Sequence, residues 1–118
     1  MPTLSAPDVA GHFENRTPEV RRVYDRILSV ARKLGAVRED PKKTSIHLVR
    51  KTAFAGIATR KDALILTLKS ASDIRSPRIK RREQASANRW HVEIRLEEAA
   101  QVDRELANWL SRAYDLAG

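Results

Sequence analysis

The sequence predicts an α+β domain, an antiparallel sheet of four to five strands flanked by an N-terminal and a C-terminal helix packed on one of its faces. Two observations carry this. Apolar residues recur at helical spacing between Thr17 and Gly35 and again after Glu98, whereas between Val37 and Leu96 they alternate with polar ones. The junctions near Lys51-Thr52 and Arg60-Lys61-Asp62 are short enough for hairpins, which makes neighbouring strands antiparallel. At 118 residues, 42% hydrophobic and 32% charged, the chain suits one globular domain with a single core, expected over 12–118 behind a lead-in at 1–11.

Each element has its own signal. Asp8 is placed to cap a short helical turn through His12 and Phe13. In the first helix Thr17 is the expected N-cap, Pro18 the first helical residue and Glu19 a first-turn acid. Val20, Val23, Ile27, Val30, Ala31 and Leu34 then fall on one face, and Gly35 is the expected stop. In the sheet, Ile46 and Leu48 oppose His47 and Val49, and Leu64, Leu66 and Leu68 oppose Ile65, Thr67 and Lys69. Trp90, Val92, Ile94 and Leu96 alternate with Arg89, His91, Glu93 and Arg95. Ala53 to Thr59 is a strand containing Gly56, where a small residue admits a close neighbour or a bulge. Ser70 to Asn88 fits either a short strand or an extended loop. A last helix from about Glu98 buries Val102, Leu106, Trp109, Leu110, Ala113 and Leu116.

Composition removes several functions. No apolar run approaches the roughly 20 residues of a membrane helix, and Met1 to Ala10 has neither the basic nor the apolar part of a signal peptide. Cysteine is absent, which removes disulfides, thiolate metal sites and cysteine nucleophiles and points to a cytoplasmic location. No phosphate-binding glycine loop and no GxSxG motif occurs. His12, His47 and His91 lack ligand spacing. A binding module is therefore expected over an enzyme, with no metal and no cofactor.

The formal charge of +8 favours anionic partners, nucleic acid or a phosphorylated ligand. The candidate contacts are the basic turns, Lys42 with Lys43, Arg50 with Lys51, and Arg60 with Lys61, and the run Arg75, Arg78, Lys80, Arg81 and Arg82. Guanidinium groups on an extended segment suit phosphates; the same run also suits an edge strand whose cations deter aggregation. The second candidate is a pocket on the polar sheet face near His47, His91, Glu93 and Arg95, with Thr67 and Lys69 on the same face. Outward aromatics for base stacking are not evident, which favours backbone contact over single-strand recognition.

"HFENRTPEVRRVYDRIL", "PKKTSIHL", "FAGI", "KDALILTLK" and "LANWLSRAYDLA" follow one another in the chain. Together they resemble the bacterial domain of unknown function 5655, from about His12 to Ala117. The resemblance implies the fold and no reaction, since no activity is settled for that family. Ser45 stands where members often carry an aromatic. Three classes of function follow as expectations: contact with nucleic-acid backbone or a nucleic-acid-processing complex, a small anionic-ligand pocket with chemistry as an option, and a protein-interaction domain or homodimer through a strand edge.

Overall fold

Thr17 and Pro18 open the first helix where the sequence places its start. The computed structural model describes residues 8–118, with helix α1 at Pro18–Arg32 and Thr17 at its N-cap. Proline suits the first helical position because an N–H there would have no helical partner. The Thr17 hydroxyl makes no cap bond; the Thr17 N–H instead donates to Lys61 O at 2.8 Å, tying the helix to the sheet. Val20, Val23, Tyr24, Ile27 and Ala31 are the buried stripe. Tyr24 joins the predicted set, whereas Leu34 leaves it: the helix ends at Arg32, and Leu34 lies beyond it, 37% exposed. Gly35 is required sterically, since a Cβ there would collide with the Tyr114 hydroxyl, which donates to Ala36 O.

Six strands follow, where the alternation predicts four to five. They are β1 Arg38–Pro41, β2 Ile46–Val49, β3 Ala53–Thr59, β4 Leu64–Ser70, β5 Ile79–Ser86 and β6 Arg89–Leu96. All neighbours are antiparallel, in the order β1-β2-β3-β4-β6-β5. β1 was hidden because "REDP" has no apolar alternation; it lies at the sheet edge, where the missing N–H of Pro41 is tolerated. β5 resolves the undecided stretch as the opposite edge strand, exposed at every residue after Ile79. Residues 71–78, linking β4 to β5, pack Ile74 against the core.

The closing helix comes in two pieces. A 3-10 turn at Ala99–Gln101 precedes α2, Arg104–Leu116. Asp103 is extended, which breaks the helix predicted to run from Glu98, and its carboxylate caps α2 by accepting the Leu106 N–H at 3.1 Å. At the other end of α2, Ala117 O accepts the N–H groups of Lys51 (3.1 Å) and Thr52 (3.2 Å). The helices lie over β3 and β4, burying Ile57, Leu64, Leu66 and Leu68 with Val92, Ile94 and Leu96 of β6. Trp90 departs from its predicted place in that stripe: it is only half-buried and does not pack against the core.

Of the expected lead-in, residues 1–7 lie outside the described residues. Asp8 accepts the Gly11 N–H at 2.7 Å, Val9 packs against the core, and a 3-10 turn covers Ala10–Phe13. No helix among the described residues is long and apolar enough to cross a membrane.

Candidate functional site

The sheet face away from the helices is open, and strand register decides which of its side chains stand together. The pairings Asp40↔His47, His47↔Gly56, Gly56↔Thr67, Thr67↔Glu93 and Glu93↔Arg81 make one row across all six strands. The next row contains Lys69↔His91 and His91↔Glu83. His47, Thr67, Lys69, His91, Glu93 and Arg95, predicted to share a polar face, therefore do share it.

In the middle of the first row stands Gly56, and above it a hollow of about 350 Å³ opens to solvent. Ser45, His47, Thr67, Lys69 and His91 rim it, and its floor is the apolar stretch Ala53–Ala58. The backbone at Gly56 does not require glycine, because its φ is not positive. Neighbours do not require it either: a Cβ would lie 3.9 Å from both His47 Cδ2 and Thr67 Cβ, ordinary contact. Mid-strand glycine costs roughly 0.5–1 kcal/mol relative to alanine. What the missing side chain accomplishes here is to leave the floor low between two taller neighbours.

The rim is a donor set over an apolar base. Lys69 makes no ion pair among the described residues and is half-buried beside His91. The one histidine side-chain hydrogen bond among the described residues is that of His12, whose Nε2 lies 2.8 Å from Lys42 O; the rings of His47 and His91 are thus free to meet a ligand. Asp40, opposite His47, is already engaged: Lys42 Nζ lies 2.9 Å away, and that hydrogen bond is the main cause holding the Asp40 carboxyl below its ordinary range. Glu93 and Arg95 do not line the hollow. Arg95 is drawn toward Asp62 and Glu97, at 3.5 Å each. No three His, Asp or Glu side chains among the described residues gather as a metal site.

The predicted cationic residues are divided. Antiparallel order sends alternate turns to opposite ends of the sheet, so Lys42, Lys43, Arg60 and Lys61 share one end, and Arg50 and Lys51 the other. The first end is strapped by residues 12–17: Arg16 Nε donates to Thr59 Oγ1 at 3.0 Å, and that hydroxyl donates to His12 O at 2.6 Å. Arg60 donates to its neighbour Thr59 O. Arg50 stacks on Tyr114, 4.4 Å from the ring centre, and donates to Tyr114 O. Arg78 is consumed structurally: it donates to Asp103, Glu105 and Gln101 O and lies over Trp109. Arg81 lies 3.4 Å from Glu83. Arg75 and Arg82 share one carboxylate, Asp73, at 2.8 and 2.9 Å. Lys43, Lys51, Lys61 and Lys80 are exposed and make no ion pair among the described residues.

Two features escaped the sequence. Gly56 reads in the sequence as admitting a close neighbour or a bulge, and the low floor it leaves emerges only from the fold. Alternation puts Lys69 on the face of the pocket, and only register sets it directly beside His91. Both edges of the sheet are also blunted against pairing, β1 by Pro41 and β5 by extra residues at Lys80 and Ala85 together with its cations.

A family model described as Domain of unknown function (DUF5655) matches residues 9–117. Comparison with curated proteins and with solved structures returned no significant match.

Proposed function

The chain belongs to the Domain of unknown function (DUF5655) family, and we propose that this domain is a binding module for a small ligand, held in the hollow on the open sheet face. The observation that carries this is Gly56. A glycine that neither backbone nor neighbours require keeps an apolar floor open between His47 and Thr67. The ligand this rim fits is a compact, largely apolar body bearing a carboxylate or phosphate. The body rests on Ala53–Ala58, the anion meets the Lys69 ammonium, and His47, His91 and Thr67 supply hydrogen bonds. Nothing in this arrangement calls for bond-making chemistry.

The test is a thermal-shift screen with inorganic phosphate, nucleoside monophosphates and aromatic carboxylates. A ligand at one hundred times its Kd stabilises by about 2.7 kcal/mol, several degrees of midpoint for a domain this size. Gly56→Leu, which fills the hollow, is expected to abolish the shift, and Lys69→Gln to reduce it. A panel without any stabilising compound, or a shift that survives Gly56→Leu, overturns the reading.

A second reading rests on the shared carboxylate of Asp73. One acid beside Arg75 and Arg82 leaves a positive surplus on the β4–β5 connection and β5, where Lys80 is unpaired among the described residues. Arg75 is 73% exposed, which leaves part of its guanidinium accessible to a phosphate, while the Asp73 carboxylate it shares is itself mostly buried. On this reading the strand edge contacts nucleic-acid backbone, and fluorescence anisotropy with labelled DNA and RNA at two salt concentrations decides it. Absence of binding at low salt would sink it.

A further inference from the structure

We infer that Trp90 is the base-stacking residue of a single-stranded nucleic-acid site on the β5–β6 hairpin; this rests on the second reading above, and it names the strand form and the residue that reading leaves open. The starting point is a tryptophan out of place. Trp90 sits on the helix side of β6, in step with buried Val92, Ile94 and Leu96. Yet it stands outside the hydrophobic cluster and does not pack against its edge. The main helix contacts are with β3 and β4 and not with β6. Its cross-strand neighbours are small or polar, Ser70 on β4 and Gln84 on β5. The ring pairs among the described residues are Phe13–Tyr24 and Phe54–Tyr114. The arginines that stack on rings lie on Phe13, Tyr24, Tyr114 and Trp109. Trp90 is thus a half-buried indole with no aromatic partner and no arginine over it among the described residues, and the part of its face that stays exposed is open to a stacking partner.

Charge selects the occupant. Arg82 is on the same side of β5, one pair along from Gln84, since it stands opposite Val92. Its Nε lies 2.9 Å from the buried Asp73 Oδ1 without hydrogen-bonding geometry, and its side chain is 36% exposed. Arg75, on the same carboxylate, is 73% exposed. A half-buried indole with the Arg82 guanidinium on the same face of the neighbouring strand is an arrangement in which a base stacks while a flanking phosphate is gripped. An acidic protein segment would use the arginines but not the ring, and a duplex hides its base faces. Single-stranded DNA or RNA uses both.

The experiment follows tryptophan fluorescence and anisotropy while a dT or rU oligonucleotide of about ten residues is added to the full chain at low and moderate salt. Trp109 is 8% exposed beneath Arg78, so quenching reports on Trp90. The expected results are quenching on binding, weaker affinity for a duplex of the same length, and a fall in log affinity with log salt of about 0.7 per phosphate contacted. Trp90→Ala is expected to weaken binding about ten-fold or more, and Trp90→Phe, which keeps a stacking face, much less. Arg75→Gln should flatten the salt dependence without removing the quenching. Thermal midpoints of the variants show that each is folded. Binding that is unchanged in Trp90→Ala, or equal for duplex and single strand, overturns the stacking role while leaving backbone contact standing. No binding at low salt overturns both.

Discussion

Replacing Gly56 by alanine should raise the unfolding free energy by about 0.4–1 kcal/mol, because the added methyl fits and the unfolded chain loses freedom. Urea denaturation checks this; a midpoint at or below the parent's would show that the position needs glycine for the fold, and the functional argument from it would fail. Tyr24 makes a different point. It is fully buried, and its hydroxyl donates to Glu39, which also lies 3.5 Å from Arg32. Burial first, and then the Glu39 charge, push that hydroxyl well above its ordinary range, so it remains a donor at any working pH. Tyr24→Phe should cost about 1–2 kcal/mol, since Glu39 loses its inner partner and keeps only Arg32. An unchanged urea midpoint would mean that water replaces the phenol without loss. Neither residue was legible as it stands. Glycine in a strand pattern signals an irregularity without saying which kind, and the tyrosine carries a polar tip that only a carboxylate arriving from β1 makes buriable.

At the level of elements, periodicity revealed what is covered on one side only. The α1 stripe and the β4 and β6 alternations were readable because each has one dry face and one wet face. β5 was not, since it is exposed on both faces after Ile79, and β1 was not, since four residues ending in proline show no alternation. Their place comes from pairing with a neighbour, a non-local cause. Arg78 is what fastens the beginning of β5 to the rest, through the carboxylates that open α2. Arg78→Ala should therefore destabilise by about 1–3 kcal/mol, whereas Arg81→Ala, a surface pair, should stay within about 0.5 kcal/mol. Equal effects in urea denaturation would contradict the structural role. Asp103 adds a pH signature. The Leu106 N–H first, then Arg78, hold its carboxyl below the ordinary 3.8. A depressed folded value means stabilisation that is present above 3.8 and lost as pH falls through the lower folded value. Asp103→Ala should cost about 1 kcal/mol near neutral pH, and the gap to the parent should narrow in acid; Asp103→Asn, which still caps, should lose less. A gap that widened in acid would refute the assignment.

For the molecule as a whole, the sequence showed how much positive charge there is but not where it goes. Turn order decides that: basic pairs that look like one repeated motif are sent to opposite ends of the sheet, and Arg78 is withdrawn into packing. The polar face, by contrast, was legible residue by residue, because alternation fixes a side chain's face before register is known. The hollow and the hairpin indole lie on opposite faces of one sheet, which should make them energetically separate. Gly56→Leu is expected to leave oligonucleotide affinity within about two-fold, and Trp90→Ala to leave small-ligand thermal shifts intact. Cross-effects in either direction would indicate one site where two are drawn. The carbonyl of Ala117 has a wider consequence. It closes the β2–β3 turn, and α2 completes the cover that α1 gives only in part, so the central strands are not fully lidded until residue 117 is in place. During biosynthesis the part of the hydrophobic sheet face that α2 covers stays open until α2 has been made, and nascent chains arrested before that point should be open to protease and to chaperones.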